Sequence, residues 1–507
     1  MFYIYKKRKS KILYMQNKHT SIKLNFIMNV VLNISYIVFP LITFPYISRI
    51  LLPEGTGKVT FASSVINYFL LFSQLGIQTY GIRECAKLRE DREKLSNLVS
   101  ELLFLNLILT AISYLMLFIM ISFIPRFMSD QKLYLIMSVT ILLEALGIHY
   151  LYKGLEQYSY ITFRSIIFKF IAMIAMFLFI HKQSDYVLYG GISVFAASAS
   201  GLMNFLHSKK FITLRVPHLY KLKRHLRLIG IFFALDCALT LYTNLDVVML
   251  GFLKTDIDVG YYNAAVKIKT LLVSLITSLG AVLLPRISYY KSKNKEAEYK
   301  KIIIKAAHFV IVLSVPLMAY FIIFAAPCIY FLSGNDYSSS IMPMQLIMPT
   351  LILKGLSNLT GMEILIPWGK EMCVFKSQVW GISADVFLNL ILIPKLGVSG
   401  AAIATVIAES IVLIVELYYI KKEDKALFKL DINYKILTGV VISIGVSLLF
   451  YNKYMKISNY FFILIISAAI FFGIYGGVLL VLKESFCIEL IKIIHDKIFE
   501  VYHNRRI

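Results

Sequence analysis

Apolar residues in this chain form blocks of about 20 residues, separated by short charged stretches. A helix of that length crosses the hydrocarbon core of a bilayer, so the blocks predict membrane-spanning helices. Of the 507 residues, 58% are hydrophobic and 16% are charged, whereas soluble domains carry about 25% charged residues. This chain has too few charges to cover a water-soluble globule, which argues against a soluble enzyme.

The apolar blocks define fourteen candidate spans. Helices are expected because lipid cannot satisfy bare backbone groups, and a barrel would need segments of about ten alternating residues. The candidate spans cover residues 26–48, 59–80, 98–124, 132–152, 164–180, 186–206, 228–250, 262–284, 306–331, 343–366, 375–393, 398–420, 436–451 and 459–482. The predicted fold class is therefore an all-α polytopic membrane protein with about 14 transmembrane helices.

The distribution of Lys and Arg over the loops predicts the orientation of the chain. Counted over alternate loops, 40 of the 53 Lys and Arg fall on the side of the N-terminus, 9 on the opposite side and 4 inside spans. Positive loops stay in the cytoplasm, so both termini are expected there. A net charge of +24 could also indicate nucleic-acid binding. Because the charges are spread over eight short loops, no nucleic-acid partner is predicted.

The longest basic loop between two spans divides the first twelve spans into six and six. A shift of 203 residues superposes Gly57 on Gly260 and Ala62 on Ala265. Both halves start on the same side, so any repeat would be parallel, with two six-helix lobes around a central cavity. The predicted parts are a basic cytoplasmic N-terminus (1–25), an N-lobe (26–206), a basic linker (207–227), a C-lobe (228–420), two C-terminal spans (421–482) and a cytoplasmic tail (483–507).

Polar residues inside the spans are the candidate site, since each is costly in lipid unless it faces protein or water. Stripes of them on several helices predict a shared aqueous cavity, although small polar residues also join helices without a ligand. Lysines suit a phosphate-bearing ligand, and carboxylates suit a proton or sodium site. Lys267 and Lys354 could instead pair with acidic neighbours or extend to an interface. The charged candidates are Lys267, Lys269, Lys354, Asp236, Asp246, Asp385 and Glu409.

No cofactor, metal or enzymatic activity is predicted. The five cysteines are scattered, without a C-x-x-C pair. The segment Glu54-Gly-Thr-Gly-Lys58 lacks the first glycine and the final Ser or Thr of a phosphate loop. Asp256 and Asp258 resemble the acidic pair of sugar transferases but lie in a short loop predicted to face outward.

Three stretches resemble bacterial oligosaccharide flippases, including the O-antigen and capsule repeat-unit translocases. The first is FPLITFPYISRILLPEGTGKVTFASSVINYF (39–69), followed by QLGIQTYGIRECAKLRED (74–91). The others are TNLDVVMLGFLKTDIDVGYYNAAVKI (243–268) and PKLGVSGAAIATVIAE (394–409). Cys85 departs from the family pattern, where an aliphatic residue is expected. The residues that fit it are Arg49, Glu54, Gly55, Gly57, Arg83, Glu84, Asp246, Gly260 and Glu409.

The resemblance implies the fold of the multidrug/oligosaccharidyl-lipid/polysaccharide exporter superfamily. It implies translocation of undecaprenyl-pyrophosphate-linked repeat units across the bacterial inner membrane, for O-antigen, capsule or exopolysaccharide synthesis. In the resulting hypothesis the cavity lysines bind the pyrophosphate, with Arg49 at the outer mouth. Ion movement through the carboxylates resets the lobes by alternating access. Membrane lipids and the pathway's polymerase and chain-length proteins are the expected partners.

Two alternatives remain from the sequence. An ion-coupled multidrug exporter has the same fold, but lysines in the cavity disfavour cationic drugs. A membrane-embedded polysaccharide polymerase or acyltransferase would carry a large outward loop or a catalytic histidine, and the sequence has neither.

Overall fold

The computed structural model describes residues 22–215, 219–293, 295–424, 427, 434–454, 459–484 and 488. Within these residues every regular element is a helix. Eight helices are long and apolar enough to span a membrane, and three shorter apolar helices accompany them in the described part. The chain is thus an all-α, multi-pass membrane protein, as predicted. Residues 1–21, most of the tail 483–507 and Cys487 lie outside the described residues.

The helices divide between two compact units. The first comprises Met1–Phe44 and Val65–Thr240, and the second comprises Pro45–Ser64 and Leu241–Ile507. Helices up to the middle of the chain are α1 (Ile22–Gln74), α2 (Ile77–Lys87), α3 (Arg92–Phe123), α4 (Pro125–Met128), α5 (Gln131–Leu146), α6 (His149–Gly154), α7 (Tyr158–Phe179), α8 (Tyr186–Ser198), α9 (Ser200–Ser208) and α10 (Leu219–Leu253).

The helices after α10 all belong to the second unit. They are α11 (Asp256–Ser292), α12 (Glu296–Ile323), α13 (Ala325–Leu332), α14 (Ile341–Ile347), α15 (Thr350–Asn358), α16 (Glu371–Leu396), α17 (Val398–Glu423), α18 (Tyr434–Tyr454) and α19 (Tyr460–Val481). Short 3₁₀ turns cover Gln183–Asp185 and Asn335–Ser340, and Leu359–Leu365 is π-helical.

The first two predicted spans form one run of helix in α1, with a sharp joint between two segments. Leu52 at this joint has φ 59° and ψ 178°, which are not helical values. The second segment ends before residue 80, because Leu75 and Gly76 both have positive φ. A Cβ at position 76 would lie 2.6 Å from the backbone nitrogen of Phe233, so glycine is required at this turn by both conformation and space.

Residues 45–64 pack within the second unit through two close backbone approaches. A Cβ on Gly57 would lie 1.7 Å from the carbonyl oxygen of Asp256. A Cβ on Gly260 would lie 2.0 Å from the carbonyl oxygen of Pro53. The shift of 203 residues that carries Gly57 to Gly260 also carries Pro53 to Asp256. The two approaches are therefore equivalent by sequence position, so the structure brings the matched segments together.

The basic linker predicted at 207–227 begins in the last residues of α9 and ends within the first part of α10. Its described central residues lie along α3. The backbone nitrogens of Thr213 and Arg215 each donate to a serine hydroxyl, of Ser96 and Ser100 respectively, both at 3.0 Å. These serines sit one turn apart on α3, so one helix face holds the linker in place.

The two C-terminal helices pack on the second unit. The Tyr320 hydroxyl on α12 donates to the carbonyl of Leu464 at 3.0 Å. In the other direction, the Tyr475 hydroxyl on α19 donates to the carbonyl of Val312 at 2.9 Å. Tyrosines from both helices thus form hydrogen bonds across this interface, which fixes the register of α19 against α12.

Candidate functional site

The centre of the candidate site is the carboxylate of Asp246, which is buried on α10. Asn389 Nδ2 donates to Asp246 Oδ1 at 2.7 Å, and Thr405 Oγ1 donates to Oδ2 at 2.8 Å. The Tyr262 hydroxyl also donates to Oδ2 and lies 3.0 Å from Thr405 Oγ1. Side chains from α10, α11, α16 and α17 therefore meet at one carboxylate. We call Asp246, Tyr262, Asn389 and Thr405, together with Asp385, the aspartate cluster.

Asp385 brings a second carboxyl into this cluster. It lies one turn before Asn389 on α16, so both side chains share a helix face, and it adjoins Asp246. Asp385 is 2% exposed. Among the described residues, neither Asp385 Oδ1 nor Asn389 Oδ1 has a hydrogen-bond partner. Two buried oxygens are thus left as free acceptors beside a carboxylate that already has three donors.

An ion pair lies in the same unit. Lys354 Nζ on α15 is 2.7 Å from Glu409 Oε1 on α17. The same ammonium lies 4.3 Å from the ring centroid of Tyr242 on α10, in a cation–π contact. The Glu409 side chain is 1% exposed and that of Lys354 is 30% exposed. The sequence allowed two interpretations of Lys354, substrate binding or pairing with an acidic neighbour. In the structure Lys354 does pair with an acidic neighbour, Glu409.

The other two candidate lysines lie on α11 and are partly buried. Asp246, Asp385 and Glu409 all act electrostatically on Lys269, as does the ammonium of Lys354. Lys269 therefore belongs to the electrostatic surroundings of the aspartate cluster. Lys267 precedes it by two residues and so projects about 200° away around the helix. The two lysines thus point to different sides of α11.

Arg49 and Asp236 lie apart from these groups. The Arg49 guanidinium donates to the carbonyls of Tyr330 and Phe331, in the last turn of α13. It also donates to the carbonyl of Pro45. A cation at a helix C-terminus is favourable, so Arg49 stabilises this end of α13. Asp236 is partly buried on α10, in the part of that helix that belongs to the first unit.

Tyr262 and Tyr242 contribute to the site but were not among the predicted residues. Tyrosine is common here, with 33 in the chain, so a single one carries little signal. Tyr262 does fall within the resembling stretch 243–268. Asp256 and Asp258, by contrast, form the N-terminus of α11, where the Asp258 backbone nitrogen donates to Thr255 Oγ1 at 3.3 Å and the Thr255 backbone nitrogen donates to Asp258 Oδ2 at 3.2 Å. This capping box gives Asp258 a structural role.

A second network in the same unit surrounds Glu416, which is 1% exposed. Three hydroxyls donate to its carboxylate: those of Ser357 at 2.9 Å, Thr360 at 2.5 Å and Ser377 at 3.1 Å. Such a carboxylate is solvated by the protein in place of water. In the described residues no cluster of three or more His, Cys, Asp or Glu side chains could hold a metal ion.

Comparison with protein families and known proteins agrees with the resemblance. A family model described as polysaccharide biosynthesis protein matches residues 22–291, more than half of the chain. A second model, MatE, matches residues 233–359. The first of these matches begins with α1 and includes Asp246, Tyr262, Lys267 and Lys269 of the site.

Two curated relatives are each described as "Putative O-antigen transporter". The protein from Escherichia coli is 25% identical over 69% of this chain and 85% of its own length. The protein from Shigella dysenteriae is 23% identical over 76% of this chain and 96% of its own length. A solved structure of the lipid II flippase MurJ aligns with a TM-score of 0.74 at 17% identity, covering 92% of this chain and all of the other. The descriptions of the two curated relatives as transporters confirm the prediction that the chain is not an enzyme.

Proposed function

Because the chain belongs to the polysaccharide biosynthesis protein family, we propose that it moves lipid-linked oligosaccharide repeat units across a membrane for assembly of a surface polysaccharide. The observation that carries this proposal is the group of buried carboxylates on α10, α16 and α17 and partly buried lysines on α11 and α15. Charged groups at this depth are costly and are typical of transport pathways. The two curated relatives described as O-antigen transporters support the same activity.

The proposed substrate is an oligosaccharide on undecaprenyl pyrophosphate. Its anionic pyrophosphate would be bound by Lys267, Lys269 and Lys354 at successive steps of the cycle, because Lys267 and Lys269 point to different sides of α11 and an ammonium is stabilised by an anion. Lys354 and Glu409 form an ion pair in the structure. To bind the substrate, Lys354 would therefore have to release Glu409. Arg49 would contribute at the outer mouth by releasing one or more carbonyls at the end of α13.

The proposed driving force is ion movement through the carboxylates. In the aspartate cluster, Asp246 and Asp385 supply charge, while Asn389 Oδ1 and Thr405 Oγ1 supply neutral oxygens. Such an all-oxygen set suits a small hard cation. Glu409 would join the cycle when Lys354 turns to the substrate, and Asp236 would act in the first unit. The cation would reset the protein after each translocation by favouring one of two conformations.

The chain is a multi-pass membrane protein, and we propose the bacterial inner membrane with both termini in the cytoplasm. The excess of Lys and Arg on one set of loops supports this orientation. Surrounding lipids and the polymerase and chain-length proteins of the same pathway are the proposed partners. The N-lobe and C-lobe of the transporter are proposed at residues 26–206 and 228–420, joined by the basic linker 207–227.

Deletion of the gene, followed by lipid analysis, tests the proposed function. We expect complete lipid-linked repeat units to accumulate on the cytoplasmic leaflet. Normal translocation with a loss of polymer chain length would point to a polymerase instead. A transport assay on Lys267→Ala and Lys354→Ala then tests the lysines, and full activity in both variants would remove the proposed pyrophosphate contacts.

A multidrug exporter is the second candidate, and the match of residues 233–359 to the MatE model favours it. An exporter of cationic drugs would need few cations in its cavity, whereas Lys267, Lys269 and Lys354 all lie in the second unit. Drug susceptibility of the deletion strain separates the two functions. Sensitisation to cationic drugs with normal surface polysaccharide would favour the exporter.

A further inference from the structure

Glu363 is a buried carboxyl that has no role in the site described above. It lies on the π-helical segment Leu359–Leu365, which follows α15 and packs against α11, α12, α16 and α17. Its relative exposure is 3%. Single π-helical turns occur frequently at functional sites, because they displace side chains from the regular helical register.

The carboxyl of Glu363 receives few hydrogen bonds. Oε1 accepts one long hydrogen bond, from Asn358 Nδ2 at 3.3 Å. Oε2 has no hydrogen-bond partner among the described residues. No Lys, Arg or His of the described residues forms an ion pair with it. An ionised carboxylate in such a place is strongly destabilised.

A glycine on the facing helix, Gly280 of α11, leaves room for the carboxyl of Glu363. A Cβ at Gly280 on α11 would lie 2.0 Å from Glu363 Oε1 and 2.7 Å from Asn358 Nδ2. The carboxyl and Asn358 also line a small cavity with room for about one water molecule. Thr277 contributes to the same cavity, whereas Ile276 and Val310 make part of its wall apolar. A water molecule could therefore reach the carboxyl.

Glu416 shows a different arrangement of hydrogen-bond donors around a buried carboxyl. Both carboxyls are buried in the second unit, yet Glu416 has three hydroxyl donors and Glu363 has one long amide donor. Donors stabilise a carboxylate, whereas a buried carboxyl without donors or a counter-ion is stable when it carries a proton.

We propose that Glu363 is a proton-binding site of the transport cycle, separate from the aspartate cluster. The carboxylate takes a proton from a hydronium ion of the aqueous phase through the cavity water: one O–H bond of the hydronium breaks, an O–H bond forms on Oε2, and a water molecule and a neutral acid remain among the packed helices. When the helices around Leu359–Leu365 separate and water enters, the O–H bond breaks and the proton returns to water. This rests on the proposed transport function, because only a transport cycle exposes the site alternately to two aqueous sides.

Carbodiimide labelling of the full-length protein in detergent tests the proposal without any variant. Dicyclohexylcarbodiimide adds to carboxylic acids that carry their proton in apolar surroundings, and mass spectrometry of peptides locates the adduct. We expect Glu363 to be modified, and less so as the pH rises. No modification of Glu363 at acidic and neutral pH overturns the proposal. Protection by sodium ions at constant pH also overturns it, since the site would then bind an alkali cation.

Variants separate a failure of the proposed proton site from a failure of the proposed transport function. Gly280→Ala should displace the carboxyl from the cavity and abolish its pH-dependent labelling. In a transport assay, Glu363→Gln should remove the pH dependence of the rate, whereas Glu363→Asp should restore part of it. An unchanged pH profile in Glu363→Gln overturns the proton site while leaving transport intact. If the wild type moves no lipid-linked oligosaccharide, the proposed function fails, and the labelling result still decides whether Glu363 holds a proton.

Discussion

At the scale of single residues, the second unit contains charged side chains whose partners come from distant parts of the chain. Asp246 has three donors from three other helices. Lys354 has Glu409 and the ring of Tyr242. Buried ion pairs of this kind contribute little net stability when intact, but they become strongly destabilising when one partner is lost.

The Lys354–Glu409 pair should therefore behave non-additively. Lys354→Met leaves the Glu409 carboxylate buried and unpaired, and we expect it to lower the free energy of unfolding by roughly 3 kcal/mol. The double variant Lys354→Met/Glu409→Leu should lose less than the sum of the two single changes. Thermal unfolding of the four proteins in detergent gives the coupling. Additive effects would mean that the two groups do not interact in the folded protein.

Asp91 provides a pH-dependent prediction outside the membrane spans. Its carboxylate caps α3, accepting from the backbone nitrogen of Lys94 at 3.0 Å and that of Glu93 at 3.1 Å. The hydrogen bond from the Lys94 backbone is the largest cause that lowers the pKa of Asp91. A lowered pKa in the folded state stabilises the protein above the unfolded pKa of about 3.9, and this contribution is lost as the pH falls through the folded pKa.

We therefore expect Asp91→Ala to lower the unfolding temperature at neutral pH, and the difference from wild type to shrink as the pH falls below about 4. Asp91→Asn should retain part of the cap at every pH, because an asparagine side chain accepts the same hydrogen bonds without titrating. Unfolding temperatures of the three proteins across pH measure this. A difference that stays constant down to the lowest pH would contradict the titration of the cap.

At the scale of elements, the joint in α1 is the place where the sequence was least informative. The apolar pattern predicted two spans with a loop between them, but the intervening residues are helical up to and after Leu52. A leucine at φ 59° and ψ 178° costs about 1–3 kcal/mol and persists only where the surroundings enforce it. Arg49, three residues before it, and Gly57, five residues after it, are both held by the second unit.

Gly57 and Gly260 should accordingly tolerate no side chain. Gly57→Ala and Gly260→Ala each place a Cβ within 2.0 Å of a backbone oxygen, and the forced separation of two helices should cost about 1–3 kcal/mol or more. Gly476→Ala on α19 is the matched control, because a Cβ there meets nothing within 4 Å. We expect both site variants to unfold at lower temperature than the control. Equal stability of all three would mean that the close contact does not form.

At the scale of the whole molecule, the apolar blocks were enough to predict an all-α membrane protein. Carboxylates such as Asp246, Asp385 and Glu409 could be selected from the sequence as candidate site residues, because a charge within an apolar block is conspicuous by itself. The partners of these carboxylates could not be predicted. The pairing of Lys354 with Glu409 and the hydrogen bond of Tyr262 depend on how the helices pack. Glu363 was overlooked since it lies near the end of its predicted span, and only its surroundings distinguish it.

Loop charges predict a topology that cysteine labelling can check. On a background lacking the native cysteines, Lys293→Cys in the basic loop 285–305 should react with a membrane-impermeant maleimide only after the cells are permeabilised. Asp336→Cys, in the exposed turn Asn335–Ser340, should react in intact cells. The reason is that positive loops are retained in the cytoplasm. The opposite pattern at both positions would reverse the proposed orientation.

The paired approach of Gly57 to Asp256 and of Gly260 to Pro53 has a consequence for how such a chain could arise. If one half once existed as a separate subunit, a symmetric dimer of it would have placed this glycine near its own copy across the two-fold axis, as an isologous contact. In such a dimer, any mutation at this contact would have changed both sides of it at once. Fusion of the two copies into one chain would let each side vary alone. Pro53 and Asp256 differ at the equivalent position, whereas glycine stands at both 57 and 260.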